Sequence, residues 1–256
     1  MTGGGEGGDV GRVVAIGASN LTRGFQTVVA TARGAWGPDI HVVAALGHGR
    51  SYGADSHFLF RRLPGILQSG LWPLLDAMPS VPTRALVTDV GNDILYGFPA
   101  ERILEWVDEA LTRLASVSDD LVVTGLPMDS IRRLSPRRFR IVRSVLVPSS
   151  SQTYDDVQAA AEHVDAGLAS LAVTHRARFV TLEPSWYGVD PIHIKRSRWR
   201  PAWQRILGVE HPVEPSRLEA LRLYRMRPEV RWLCGIEQRT SQTGRRLRRG
   251  GQVWLY

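Results

Sequence analysis

Five short runs of apolar, β-branched residues alternate along the chain with longer stretches in which apolar positions recur every three or four residues. The runs fall at residues 10–17 (VGRVVAIG), 39–46, 84–90, 121–126 and 178–182. Each is nearly continuous in its hydrophobicity, the pattern of a strand buried on both faces. After the first run, Leu21, Phe25, Val28, Val29 and Ala32 mark one face of a helix that Gly34 would end. Residues 99–114 predict another helix, with proline in the first turn, Glu101 complementing the dipole, and a stripe of Ile103, Val107, Ala110, Leu111 and Leu114. Residues 154–173 predict a third. Parallel neighbours need crossover connections and hide both faces, so the pattern predicts an α/β fold. It is flavodoxin-like and doubly wound, a five-stranded, mostly parallel sheet with helices on both faces. Ligands of such sheets bind beyond the carboxyl ends of the strands, so chemistry is expected in the loops that follow them.

The chain divides into a glycine-rich leader at 1–9, an α/β domain at 10–207 and an arginine- and tryptophan-rich extension at 208–256. Its 256 residues include one cysteine, Cys234. One thiol makes neither an intramolecular disulfide nor a four-ligand zinc site, and no metal or cofactor is expected. No secretory-type leader and no apolar stretch of the roughly 18 residues that a membrane span needs are visible, so the expected location is cytoplasmic.

The net charge of +7 is unevenly spread. Residues 1–194 carry 17 basic and 20 acidic side chains, residues 195–256 carry 15 and 5, and Lys195 is the only lysine. In the basic stretch Trp199, Trp203, Trp232 and Trp254 are interleaved with arginines, and Arg245, Arg246, Arg248 and Arg249 form the densest cluster. Such a tail could bind nucleic acid or an anionic surface, but tryptophan-rich segments more often pack, and a packed appendage or lid is the favoured reading. Within it, 201–207 and 215–224 read as helical and 251–256 as a late strand.

Four of the loops after strands carry candidate chemistry. Gly17-Ala18-Ser19-Asn20 puts a serine on a strand-to-helix turn, where it could act as a nucleophile or simply cap the helix. Gly47-His48-Gly49-Arg50-Ser51-Tyr52-Gly53 lets backbone approach a ligand closely, but its spacing fits neither the P-loop nor the dinucleotide fingerprint. Gly91-Asn92-Asp93 brings an amide to the same sheet edge. Asp190-Pro191-Ile192-His193 places a carboxylate where it can fold back onto an imidazole and favour its protonated form. Of the other histidines, His41 reads as a strand residue, His163 as helical and His57 as part of a helical stretch after Gly53. His48 either lines the pocket or is solvated.

Taken in order, GASN, the loop ending at Gly53, GND and DPIH resemble the four signature blocks of the SGNH (GDSL-type) hydrolases over residues 12–195. The resemblance implies Ser19 as nucleophile and His193 with Asp190 as base and orienter. It further implies an oxyanion hole of Ser19, Gly53 and Asn92. Ala18 departs from the family's usual aspartate, and the loop before Gly53 lacks an asparagine often found there. Tyr52, Leu95, Tyr96, Trp186 and Tyr187 are expected to form an apolar and aromatic pocket mouth. The partner implied is a small-molecule ester, cleaved through an acyl-serine. Thioesterase or acyltransferase activity is the alternative within the family, and polyanion binding by the tail is the alternative outside it. A flavin or nucleotide site, which the same layer architecture can host, finds no support in the loops.

Overall fold

The computed structural model describes residues 11–118, 120–135, 139, 152–210, 216–248 and 250–256. The leader expected at 1–9 and Arg249 of the arginine cluster lie outside them. In chain order the strands among the described residues are β1 (Arg12–Ile16), β2 (His41–Ala45), β3 (Ser56–Phe58), β4 (Arg61–Leu63), β5 (Thr83–Val87), β6 (Asp120–Thr124), β7 (Arg178–Val180), β8 (Val230–Leu233), β9 (Ile236–Arg239), β10 (Arg245–Arg246) and β11 (Gln252–Leu255). The α-helices are α1 (Ser19–Trp36), α2 (Leu71–Ala77), α3 (Asn92–Leu95), α4 (Ala100–Ala115), α5 (Met128–Arg132), α6 (Tyr154–Thr174), α7 (Trp199–Leu207) and α8 (Arg217–Tyr224).

The five expected strands pair in parallel in the order β2-β1-β5-β6-β7. The sheet has seven strands rather than five, because β11 adds in parallel beside β2 and β10 pairs antiparallel to β11 at the edge. The late strand expected at the end of the chain therefore forms, and it covers an edge that β2 would otherwise leave open. A separate antiparallel sheet, β3-β4-β8-β9, joins the hairpin that follows the glycine-rich loop to the extension.

Both faces of the parallel sheet are buried, as its unbroken apolar strands require. On β1, Val14 and Ile16 face one side, packed with Ile103, Val107, Leu111 and Leu168 of α4 and α6. Val13 and Ala15 face the other, packed with Leu21, Phe25, Val28 and Trp203 of α1 and α7. Helix α1 runs through Gly34 and ends at Gly37, whose φ of +103° allows the chain to turn away and whose amide donates to the Arg33 carbonyl at 3.1 Å. Helix α6 starts in a capping box: Thr153 accepts from the Asp156 amide, and the Asp156 carboxylate accepts from that of Thr153. His57 lies on β3 and not on a helix, since residues 56–58 pair with 61–63 as a hairpin.

The chain order changes direction between β1 and β5. Their carboxyl ends flank a crevice at this switch point, with the turn to Ser19 on one side and the turn to Asn92 on the other.

Candidate active site

Ser19 is the first residue of α1, and Ala18 precedes it with no side-chain cap. The capping explanation for this serine is not needed, because a carboxylate from another strand does that work. Asp89, just past β5, accepts from the Ala18 amide at 3.1 Å and the Leu21 amide at 2.9 Å. A carboxylate at the amino end of a helix satisfies free amides and complements the dipole. The Ser19 side chain is left to meet His193, with Oγ 3.0 Å from Nε2.

His193 and Asp190 form a local loop. The imidazole Nδ1 lies 2.7 Å from Asp190 Oδ2, while Asp190 Oδ1 accepts from the backbone amides of Ile192 and His193, both at 3.2 Å. Burial works to raise the Asp190 carboxyl, but the hydrogen bond and charge of His193, with the two amides, outweigh it and hold it below the usual carboxylate range. Arg23 adds a looser ion pair to Asp190 at 3.8 Å.

The two halves are fastened by Asn20, a residue sequence reasoning did not single out. Its Nδ2 donates to Asp89 Oδ1 and to the Ile192 carbonyl, each at 2.9 Å, and its Oδ1 accepts from the Ile194 amide at 2.8 Å. One carboxamide thus ties the serine turn to the residues on both sides of His193. Asp89, within the stretch TDVGND, carries no local signal of this role. It is partly buried at φ +61°, a backbone conformation uncommon for a non-glycine residue. Burial pushes its carboxyl up, against the opposing effect of its hydrogen bonds from Leu21, Asn20 and Ala18.

Other expected residues divide. Asn92 and Leu95 line the crevice beside Ser19, and Tyr96 lines its outer part, donating from its hydroxyl to the Gly49 carbonyl at 2.5 Å. Gly53 borders neither cavity at Ser19, and a Cβ on it would lie 2.0 Å from the Trp106 ring, so its absent side chain serves core packing. Gly49 is the loop glycine that borders the crevice, at φ +68°. Tyr52 does not reach the mouth. It is wholly buried, its amide donating to Asp93 Oδ2 at 2.9 Å and its hydroxyl to the Thr88 carbonyl at 2.7 Å. Trp186 and Tyr187 are likewise buried, in the core under α1 and α7, because the short 3-10 turn at Pro184–Trp186 directs them inward. Pro191 and Ile192, not Trp186 and Tyr187, supply apolar wall on that side of the crevice.

His48 does line the crevice, its ring 5.8 Å from that of Phe58. Burial, with the nearby charges of Arg61, His193 and Arg23, pushes its imidazole down to about 4, so it is neutral at neutral pH. Behind the loop, buried Arg50 donates to the carbonyls of Leu46, Pro64 and Tyr256, fastening the loop to the end of β11.

A carbohydrate acetylesterase from Sinorhizobium meliloti superposes with a TM-score of 0.52 at 12% identity, over 77% of this chain and 97% of its own. The aryl esterase of M. smegmatis, in an inhibitor-bound form, gives 0.50 at 14% identity, over 78% and 100%. The chain has the SGNH hydrolase fold. No protein-family model and no curated protein sequence matches it. Within the SGNH fold, the serine, asparagine and Asp/His blocks lie at the carboxyl edge of the parallel sheet, around one crevice.

Proposed function

We propose that the chain is a serine hydrolase that cleaves a carboxylic ester through an acyl-serine intermediate. The observation that carries this reading is the unbroken hydrogen-bonded line from Ser19 Oγ through His193 to Asp190, at 3.0 and 2.7 Å. With Nδ1–H donated to Asp190, Nε2 is free to accept the serine proton as Oγ attacks the ester carbonyl carbon. Asp190 stabilises the imidazolium that forms. The carbonyl oxygen, now an oxyanion, accepts from the Asn92 amide and the Ser19 backbone N–H. For the loop amide we take Gly49 in preference to Gly53, since Gly49 borders the crevice with Ser19 and Asn92.

Collapse of the tetrahedral intermediate breaks the bond to the alcohol oxygen, which takes its proton from His193 Nε2. Water then attacks the acyl-serine carbonyl and gives its proton to His193, which passes it to Ser19 Oγ as the acyl–oxygen bond breaks and the acid leaves.

A fluorophosphonate tests the nucleophile without knowledge of the substrate. Labelling of Ser19, with hydrolysis of p-nitrophenyl acetate and loss of both in Ser19→Ala, is the expected result; no labelling of folded protein would refute the reading. Removal of the amide in Asn92→Ala is expected to lower kcat on the order of 100- to 1,000-fold.

A further inference from the structure

Two cavities meet at Ser19, and they differ in chemistry. One, of about 90 Å³, lies among Leu126, Ile131, Leu134, Phe139, Val157 and Ala161 on the segments after β6 and on α6. The other, of about 290 Å³, is bordered by Arg23, His48, Gly49, Tyr96, Asp190 and His193. Ser19, Asn92, Leu95 and Ile192 belong to both, so a carbonyl carbon bonded to Ser19 Oγ sits where they join.

The proposed chemistry decides which part of an ester occupies which cavity. The leaving oxygen must reach the group that protonates it, and that group is His193. His193 and Asp190 border the larger cavity and not the smaller. The alcohol therefore leaves through the larger one, and the acyl chain enters the smaller one. We infer that the protein acts on esters joining a compact, apolar acid to a bulkier, polar alcohol. The inference rests on the hydrolase reading above and gives its substrate class.

Size and polarity agree with that division. A cavity of about 90 Å³ is smaller than the roughly 150 Å³ cavity that holds a benzene ring, which suits a chain of a few carbons. The larger cavity offers polar groups along its border, the Arg23 guanidinium and the neutral His48 ring. The order of events agrees too. After the first step the acyl group stays bound to Ser19 in the apolar cavity, while the alcohol vacates the polar one, through which water reaches the carbonyl beside His193.

The test uses the full chain with p-nitrophenyl acetate, butyrate and octanoate. A methylene in a hydrophobic pocket is worth about 10- to 200-fold in kcat/KM, so octanoate is expected to fall at least about tenfold below butyrate. Leu134→Trp narrows the small cavity at a half-buried position and is expected to lower the butyrate-to-acetate ratio about tenfold. Val157→Ala widens it and is expected to raise the octanoate-to-butyrate ratio, which keeps the test open if the first variant fails to fold. Glyceryl monobutyrate is expected to turn over faster than propyl butyrate. Fluorophosphonate labelling of Ser19 with a chain-length profile that neither variant moves would overturn the division alone. A preference for propyl butyrate would overturn its polar half, and absence of both labelling and hydrolysis would overturn the hydrolase reading itself.

Discussion

Two carboxylates flank Ser19, and the fold treats them in opposite ways. Asp190 sits half-exposed on a loop, beside the imidazole whose charge it would stabilise, and its carboxyl is held low. Asp89 sits partly buried behind the serine turn, accepts three hydrogen bonds from the α1 amino end and Asn20, and has its carboxyl pushed up by desolvation. A group that must stay ionised during a reaction benefits from water and a cationic partner, whereas one that only holds backbone in place tolerates burial as long as its oxygens are satisfied. Asp89 also holds the turn before Ser19, reaching the Ala18 amide from the neighbouring strand's loop.

If the contrast is right, substitutions on the two sides should differ in what they damage. Asp190→Asn should have the largest effect, a loss on the order of 10⁴-fold in kcat with the fold intact, read by steady-state hydrolysis of p-nitrophenyl acetate beside a circular-dichroism melt. Asn20→Ala joins the two sides and should affect both. It frees the His193 loop from the serine turn, and misplacement of about 1 Å can cost on the order of 100-fold in turnover. Asp89→Asn turns an amide toward the Asn20 amide, donor against donor. Chemical denaturation should show a loss of about 1–3 kcal/mol, the cost of an unmatched buried polar group.

The pH dependence of these stability changes sharpens the contrast because the signs oppose. Asp190, depressed in the folded state, contributes stability that is present above its unfolded value and lost as pH falls through the folded one. Asp89, raised in the folded state, contributes stability that is present below its unfolded value and lost as pH rises through the folded one. In urea denaturation over roughly pH 3 to 7, the gap between wild type and Asp89→Asn should widen as pH falls, and the Asp190→Asn gap should narrow. The smallest effect is expected from Arg23→Gln, whose exposed 3.8 Å pair with Asp190 should be worth no more than about 1 kcal/mol.

The alternation of strands and helices was legible in the sequence because it is written in local periodicity. So were Ser19, Asn92, Asp190 and His193, because turn chemistry after a strand is local and the sheet gathers all its carboxyl ends at one edge. The Asp190–His193 contact spans only three residues and needs no tertiary information. What the sequence left open depends on partners distant along the chain. Asp89 meets Ala18 across 71 residues, and Asn20 meets Ile194 across 174. Tyr52, Trp186 and Tyr187 look like binding-site aromatics in a loop and turn out to be core, since only the packed layers decide which way a loop side chain points. The choice between Gly49 and Gly53 likewise turns on where Trp106 of α4 comes to rest. The extension reads as a packed appendage with a late strand at its end, but that Val253, Trp254 and Leu255 pair beside β2 is not written in it. Pairing of that kind is set by which edge is left uncovered after the rest of the chain has folded, and no local pattern records it.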